Sequence, residues 1–213
     1  MPKSSTPLST IFLLPTLGPA LVGAMYKSPV NGTVDPAVKG RKGPPIIGTT
    51  GLSSSQINDL SIFAQKAEVG CAIIPNFSVG AAYQKLFSIA LSENFNSIGI
   101  IEKHHSNKQD APSGTASDLA ESLSTELLPI EQDGKFFDVN NINNKNIYSL
   151  RGDQYLAEQV VNFVNDYESF HLEHKVDDRR AYLYGMKIVL DQFNQLEGFN
   201  LGLENIIADK IKI

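Results

Sequence analysis

The chain reads as an α/β protein on three observations. Short apolar runs fit for buried strands, Ile46-Ile47 and Cys71 to Ile74, flank a stretch with helical spacing. Turn residues close each run: Gly48-Thr49-Thr50-Gly51 after the first and Pro75-Asn76-Phe77-Ser78 after the second. Three consecutive strand patterns then follow, Asn146 to Arg151, Leu156 to Val164 and Ser169 to Val176. The first two features together make a β–turn–α–β–turn unit of the kind that builds parallel sheets.

Taken in order, residues 1 to 45 are proline-rich. Pro2, Pro7, Pro15, Pro19, Pro29, Pro36 and Pro44 are seven of the eleven prolines, and Pro45 is an eighth. Proline removes an amide donor and breaks helices, so long regular elements are not expected there. One short strand is expected over Ala20 to Met25 and a loop over Ser28 to Gly43. After the first turn, Ser53 to Ser55 cap a predicted helix from about Gln56 to Ala67. Its inward residues are Ile57, Leu60, Ile62, Phe63 and Ala64, and Gly70 is expected to stop it.

Val79 to Glu93 predicts a helix and Ser97 to Glu102 a strand. Ser113 caps a helix from Gly114 to about Leu127, with Leu119, Leu123 and Leu127 at helical spacing. Asp133 to Asn146 is polar and Asn-rich and reads as a loop. In the last of the three strands, Phe170, Leu172 and Val176 alternate with His171, Glu173 and Lys175. Arg179 to Phe193 predicts a final helix, followed by a short tail to Ile213; no internal repeat is visible.

Composition narrows the function classes. With 42% hydrophobic and 19% charged residues, the chain has material for a real core. Lys and Arg number 18 against 23 Asp and Glu, a net charge of −5, which argues against nucleic acid as a partner. Cys71 is the single cysteine, so an intrachain disulfide is impossible, and its apolar neighbours suggest a buried strand rather than a catalytic thiol. No apolar run is long enough to span a bilayer, so no membrane partner is expected. The first acidic residue is Asp35, a pattern compatible with a weak transit segment, although Pro15 and Pro19 interrupt it. A cytoplasmic location is expected, or a plastid one if that segment is a transit peptide.

The strongest chemical signal is Glu102 to Ala116, EKHHSNKQDAPSGTA, between a strand and a helix. Loops held by rigid elements are where sites are usually built. Pro112 disfavours helix at Ala111, Ser113 caps, and Gly114 permits close approach of a ligand. The helix N-terminus offers amides and a positive dipole end to an anion. Lys108 adds a positive charge, and a histidine donates a proton near neutral pH. The set suits a carboxylate that must take up a proton. Adjacent histidines alone would fit an ordinary surface loop or hint at a metal, but their side chains diverge and no partner stands at metal spacing.

This string resembles the signature of the dihydrodipicolinate reductases of lysine biosynthesis, E-x-H-H-x-x-K-x-D-A-P-S-G-T-A, at every fixed position. The resemblance implies a general acid at His104, a substrate-pairing cation at Lys108, and a carboxylate cradle at Ser113, Gly114 and Thr115, with His105 lining the same pocket. Two further segments agree with it. Gly48-Thr49-Thr50-Gly51 matches the family's GTTG beside the nicotinamide, and Pro75-Asn76-Phe77-Ser78-Val79-Gly80 matches P-N-F-S-x-G near cofactor and hinge. Cofactor-binding roles are thereby implied for Gly48, Thr49, Thr50, Pro75, Asn76 and Phe77. His171 to Gly185 is similar to the family's I-T-H-x-x-x-x-R segment, with Glu173 where Thr is usual, leaving His174 either structural or part of the site.

The chain departs from the family before Ile46. The family's G-x-x-G-x-M-G turn, which holds a cofactor pyrophosphate on backbone amides, is not present; Gly18 and Gly23 have the wrong spacing and Pro19 intrudes. The expected architecture is therefore an incomplete doubly wound, Rossmann-like nucleotide-binding part over residues 1–77 with the tail 193–213. A mixed-sheet α+β substrate and oligomerisation domain is expected over 78–192. The implied activity is NADPH- or NADH-dependent reduction of 4-hydroxy-tetrahydrodipicolinate, by a homotetramer acting on a small dicarboxylate without a metal. The alternative is a non-catalytic dicarboxylate-binding or assembly module.

Overall fold

The computed structural model describes residues 45–48, 52–124 and 138–208, and the expected strand at Ala20 to Met25 and loop at Ser28 to Gly43 lie outside them. The fold is mixed α/β, in two compact units: one comprises Met1–Phe77 with Met186–Ile213, the other Ser78–Gly185.

In the first unit, β1 (Ile46–Ile47) and β2 (Cys71–Ile73) pair in parallel, Ile46 opposite Ala72. Between them runs α1 (Ser54–Ala67). Ser53 and Gln56 form a reciprocal capping box, Gln56 N donating to Ser53 Oγ at 3.3 Å and Ser53 N to Gln56 Oε1 at 2.8 Å. Leu60 and Ala64 are buried as the spacing predicts, whereas Ile62, expected inward, is 40% exposed. The helix stops at Glu68 in a left-handed turn, φ 50°, with its amide returned to Ala64 and Gln65 carbonyls. Gly70, expected to stop the helix, instead allows contact: a Cβ there would lie 2.0 Å from the Leu196 carbonyl oxygen. Cys71 is fully buried and its thiol is pushed up to about 11 by that burial, which suits packing and not nucleophilic chemistry.

The stretch expected to be a plain tail contains β8 (Phe199–Leu201), which pairs parallel to β2 and gives the sheet order β1-β2-β8, and α5 (Leu203–Ile207). Ile47, Leu60 and Ile73 form the core here, with Leu52, Ile57 and Phe199 packed on it.

The second unit opens with α2 (Val79–Ser92), capped by Ser78, whose Oγ accepts from Ala81 N at 3.3 Å. Next come β3 (Ser97–His104), two residues longer than expected, and α3 (Gly114–Ser122). Leu123 leaves the helix in an extended conformation, so the helix ends before Leu127, which lies outside the described residues. Within the expected loop Asp133 to Asn146 stands β4 (Asp138–Ile142), a correction. Asn143 and Asn144 have φ of 48° and 61°, the pair of left-handed residues that a two-residue hairpin turn requires. They return the chain into β5 (Lys145–Arg151), followed by β6 (Ala157–Val164) and β7 (Ser169–Val176). Asn-rich β4 has poor strand propensity alone; its pairing with β5 decides its conformation.

These strands form one mixed sheet, order β4-β5-β3-β6-β7, with β3 parallel to β5 and antiparallel to β6. On one face Ile98, Ile100, Ile147, Val161 and Phe163 pack against Ala116, Leu119, Ala120 and Leu123. The final predicted helix is broken into a 3-10 turn at Arg179–Ala181, α4 (Tyr182–Asp191) and a second turn at Phe193–Gln195.

Candidate active site

Strand alternation carries the site. Along β3, Ile98, Ile100, Glu102 and His104 share the face that meets the helices, so this face turns from apolar to polar toward its C-terminal end. The register puts Ser149 and Gln159 beside Glu102, and Arg151 and Ala157 beside His104. Ile98 and Ile100 are closed off by α3, while the two polar positions lie where the 105–113 segment leaves the strand.

Glu102 is fully buried. Burial opposes its charge, but the His104 hydrogen bond and the Arg151 guanidinium outweigh that and hold its carboxyl below the usual range. One oxygen takes the His104 Nδ1 hydrogen bond, and the other lies 2.9 Å from an Arg151 guanidinium nitrogen. Arg151 also fastens the loop: Nε donates to the Lys108 carbonyl at 3.2 Å, and a terminal nitrogen donates to the Asp110 carbonyl. A third donor reaches the Leu150 carbonyl at 2.8 Å. Only a guanidinium has enough forked donors to serve a carboxylate and three carbonyls at once. Gly152 N closes the end of the strand pair on the His104 carbonyl at 3.0 Å.

Lys108 follows a turn in which its amide donates to the His105 carbonyl at 3.0 Å. Its ammonium is directed at Asp110, 2.8 and 2.7 Å from the two carboxylate oxygens. Burial nudges Asp110 upward, but the Lys108 charge prevails and holds its carboxyl low. His105 is half-buried. The Ala111-Pro112 bond is cis, and α3 starts at Gly114, as predicted. Ser113 is buried, and its Oγ accepts from Ala116 N at 3.2 Å, so this hydroxyl caps the helix. Gly114 is exposed and Thr115 half-buried, both in the first turn of α3. His104 thus ends β3, Ser113 to Thr115 begin α3, and Lys108 lies in the segment between them.

Among the other expected residues, Thr49 and Thr50 lie outside the described residues. Gly48 follows β1 and Pro75, Asn76 and Phe77 follow β2, at the carboxyl ends of neighbouring parallel strands, where open α/β sheets bind ligands. Pro75 is exposed, Asn76 half-buried and Phe77 buried. Among the described residues no G-x-x-G-x-M-G turn is present.

His174 Nε2 lies 3.0 Å from Ser78 Oγ, and burial depresses its pKa. Glu102 and Arg151 are not among the site residues read from the sequence, although both lie against His104 or its loop. A glutamate at the core-facing parity of an apolar strand was the available signal, since a buried charge demands partners. Nothing in the sequence identified Arg151 as that partner. Among the described residues no cluster of three or more His, Cys, Asp or Glu is arranged for a metal, and no helix is long and apolar enough to cross a membrane.

Comparison with known proteins agrees with this geometry. The family described as "Dihydrodipicolinate reductase, C-terminus" matches residues 80–207. The 4-hydroxy-tetrahydrodipicolinate reductase of Gloeothece citriformis is 38% identical over 172 residues, covering 76% of this chain and 62% of the relative. That of Mastigocladus laminosus is 38% identical over 176 residues, with the same coverage. The chain therefore spans about 62% of the length of these curated relatives. Among solved structures, a dipicolinate-bound dihydrodipicolinate reductase from Paenisporosarcina sp. TG-14 superposes with a TM-score of 0.66 at 29% identity, covering 76% of this chain and 64% of that one.

Proposed function

This chain belongs to the dihydrodipicolinate reductase family, and from that membership we propose that it reduces 4-hydroxy-tetrahydrodipicolinate to tetrahydrodipicolinate in lysine and diaminopimelate biosynthesis. The overall change takes up a hydride and a proton and releases water. NADPH or NADH would supply the hydride, and Gly48, Thr49, Thr50, Pro75, Asn76 and Phe77 are the residues that would hold it. His104 donates the proton. Lys108 exchanges its Asp110 partner for a substrate carboxylate, and the Gly114 and Thr115 amides, with Ser113 and His105, orient the same dicarboxylate. The observation that carries this reading is the complete Glu102–Ala116 string, set at a strand-to-helix junction with the Glu102–His104 pair at its base.

Assembly into a homotetramer is part of the proposal. Both helices over the mixed sheet pack on one face, and the opposite parity presents half-buried Ile101, Leu150 and Val160. A second reading is a non-catalytic dicarboxylate-binding or assembly module. Titration with NADH and NADPH, and a coupled assay with synthase-generated substrate, separate the two. Saturable cofactor binding with turnover supports the reductase; dicarboxylate binding without either supports the module.

A further inference from the structure

The His104 ring touches a group that the proposed chemistry has not used. Glu102 lies fully buried on the same face of β3, its carboxylate shared between His104 Nδ1 and the Arg151 guanidinium. A structural ion pair would need only Glu102 and Arg151. Here the second carboxylate oxygen is spent on the ring, and Arg151 continues to the Lys108 and Asp110 carbonyls. We infer that Glu102 is a positioning residue for His104, fixing which ring nitrogen exchanges a proton with the ligand, and that Arg151 ties this pair to the Lys108 segment.

The chemistry follows from donor and acceptor counts. An ionised carboxylate only accepts, so the ring nitrogen facing it must carry a proton. The neutral ring is then the Nδ1–H tautomer with its lone pair on Nε2, and the charged ring carries its transferable proton on Nε2. When that proton leaves for the ligand, its bonding electron pair stays on Nε2 and solvent returns the proton later. The groups facing Glu102 are His104 on its own strand, Arg151 and Ser149 on β5, and neutral Gln159 on β6. Gln159 is engaged with Gln84, its Nε2 donating to Gln84 Oε1 at 3.0 Å.

This inference rests on His104 being the proton donor of the proposed reaction, so the test has an arm that needs no turnover. Nitrogen-15 NMR of the full chain resolves imidazole tautomers, with His104→Gln assigning the signal among the four histidines. The expected result is an Nδ1–H tautomer in the neutral ring. Glu102→Gln, whose side-chain amide can donate as well as accept, should remove that preference and populate both tautomers. Glu102→Asp, which keeps an acceptor-only carboxylate, should restore most of the Nδ1–H form. In the reductase assay, Glu102→Gln should cut kcat by about tenfold or more and leave KM within about twofold. An Nε2–H tautomer in the unaltered protein, or an unchanged tautomer in a folded Glu102→Gln protein, overturns the inference. Full turnover in His104→Gln, with the tautomers as expected, instead refutes the role of His104 as proton donor; the contact of Glu102 with the ring then stands on the spectra alone.

Discussion

Replacing Arg151 by Met removes the countercharge from a carboxylate that has no access to water. Glu102 is fully buried and the Arg151 side chain is 20% exposed. Breaking a buried pair by deleting one partner costs roughly 3–5 kcal/mol, because the remaining charge is stranded. Three carbonyls, of Lys108, Leu150 and Asp110, lose a charged donor as well. Two effects reduce the total: His104 still donates to the carboxylate, and solvent reaches the Arg151 position. The expected loss is about 2–4 kcal/mol at neutral pH. For a chain of this size each kcal/mol moves Tm by roughly 2–4 °C, so the melting temperature should fall by about 5–15 °C. The control is Arg180→Met, which breaks an exposed pair with Asp178 and should leave Tm unchanged. The penalty for Arg151→Met should shrink in acid, as Glu102 takes up a proton and no longer needs a countercharge. Equal melting temperatures for the two variants would refute the claim that Arg151 neutralises a buried carboxylate.

Gly80→Ala would put a Cβ 2.4 Å from His174 Cδ2, forcing the ring off Ser78; urea denaturation should show a loss of about 1–3 kcal/mol. His174 itself links stability to pH. Its folded-state pKa is depressed by burial below the ordinary 6.5, so the unfolded chain protonates first. The stability it contributes is complete above about 6.5 and is lost as pH falls through the lower folded value. His174→Gln should therefore flatten the stability–pH curve between pH 7 and 5, and an unchanged slope would assign that dependence elsewhere. Asn144→Val places a β-branched residue at φ 61°, and the β4–β5 hairpin should lose about 1–2 kcal/mol, read by hydrogen exchange at its amides.

Local signals survived folding well. Ser53 and Ser113 cap the helices that their positions predicted, because a cap is decided within four residues. The turn after β2 and the three C-terminal strands also formed where pattern put them. What escaped depended on distant partners. β4 becomes a strand only because β5 offers a ladder, and β8 only because β2 has an open edge reached from far along the chain. Ile62 obeys helical spacing yet stays exposed, since periodicity names a stripe and packing decides its width. The site divided in the same way. His104, Lys108 and the α3 start were legible as one contiguous string, while Arg151 stands across the sheet, joined to Glu102 only by the β3–β5 register.

The central claim is that the β3–α3 junction binds a small dicarboxylate through Lys108 and the first turn of α3. Titration with pyridine-2,6-dicarboxylate, followed by amide NMR and thermal melting on one sample, tests it most directly. Saturable shifts should concentrate at His104, Lys108, Gly114 and Thr115. At a ligand concentration 100 times Kd the fold should gain about 2.7 kcal/mol. Lys108→Ala should weaken binding by about 1.5–3 kcal/mol, the range for a lost charged hydrogen bond. A flat melting temperature at millimolar ligand, or shifts that avoid the Lys108–Thr115 segment, would contradict the account.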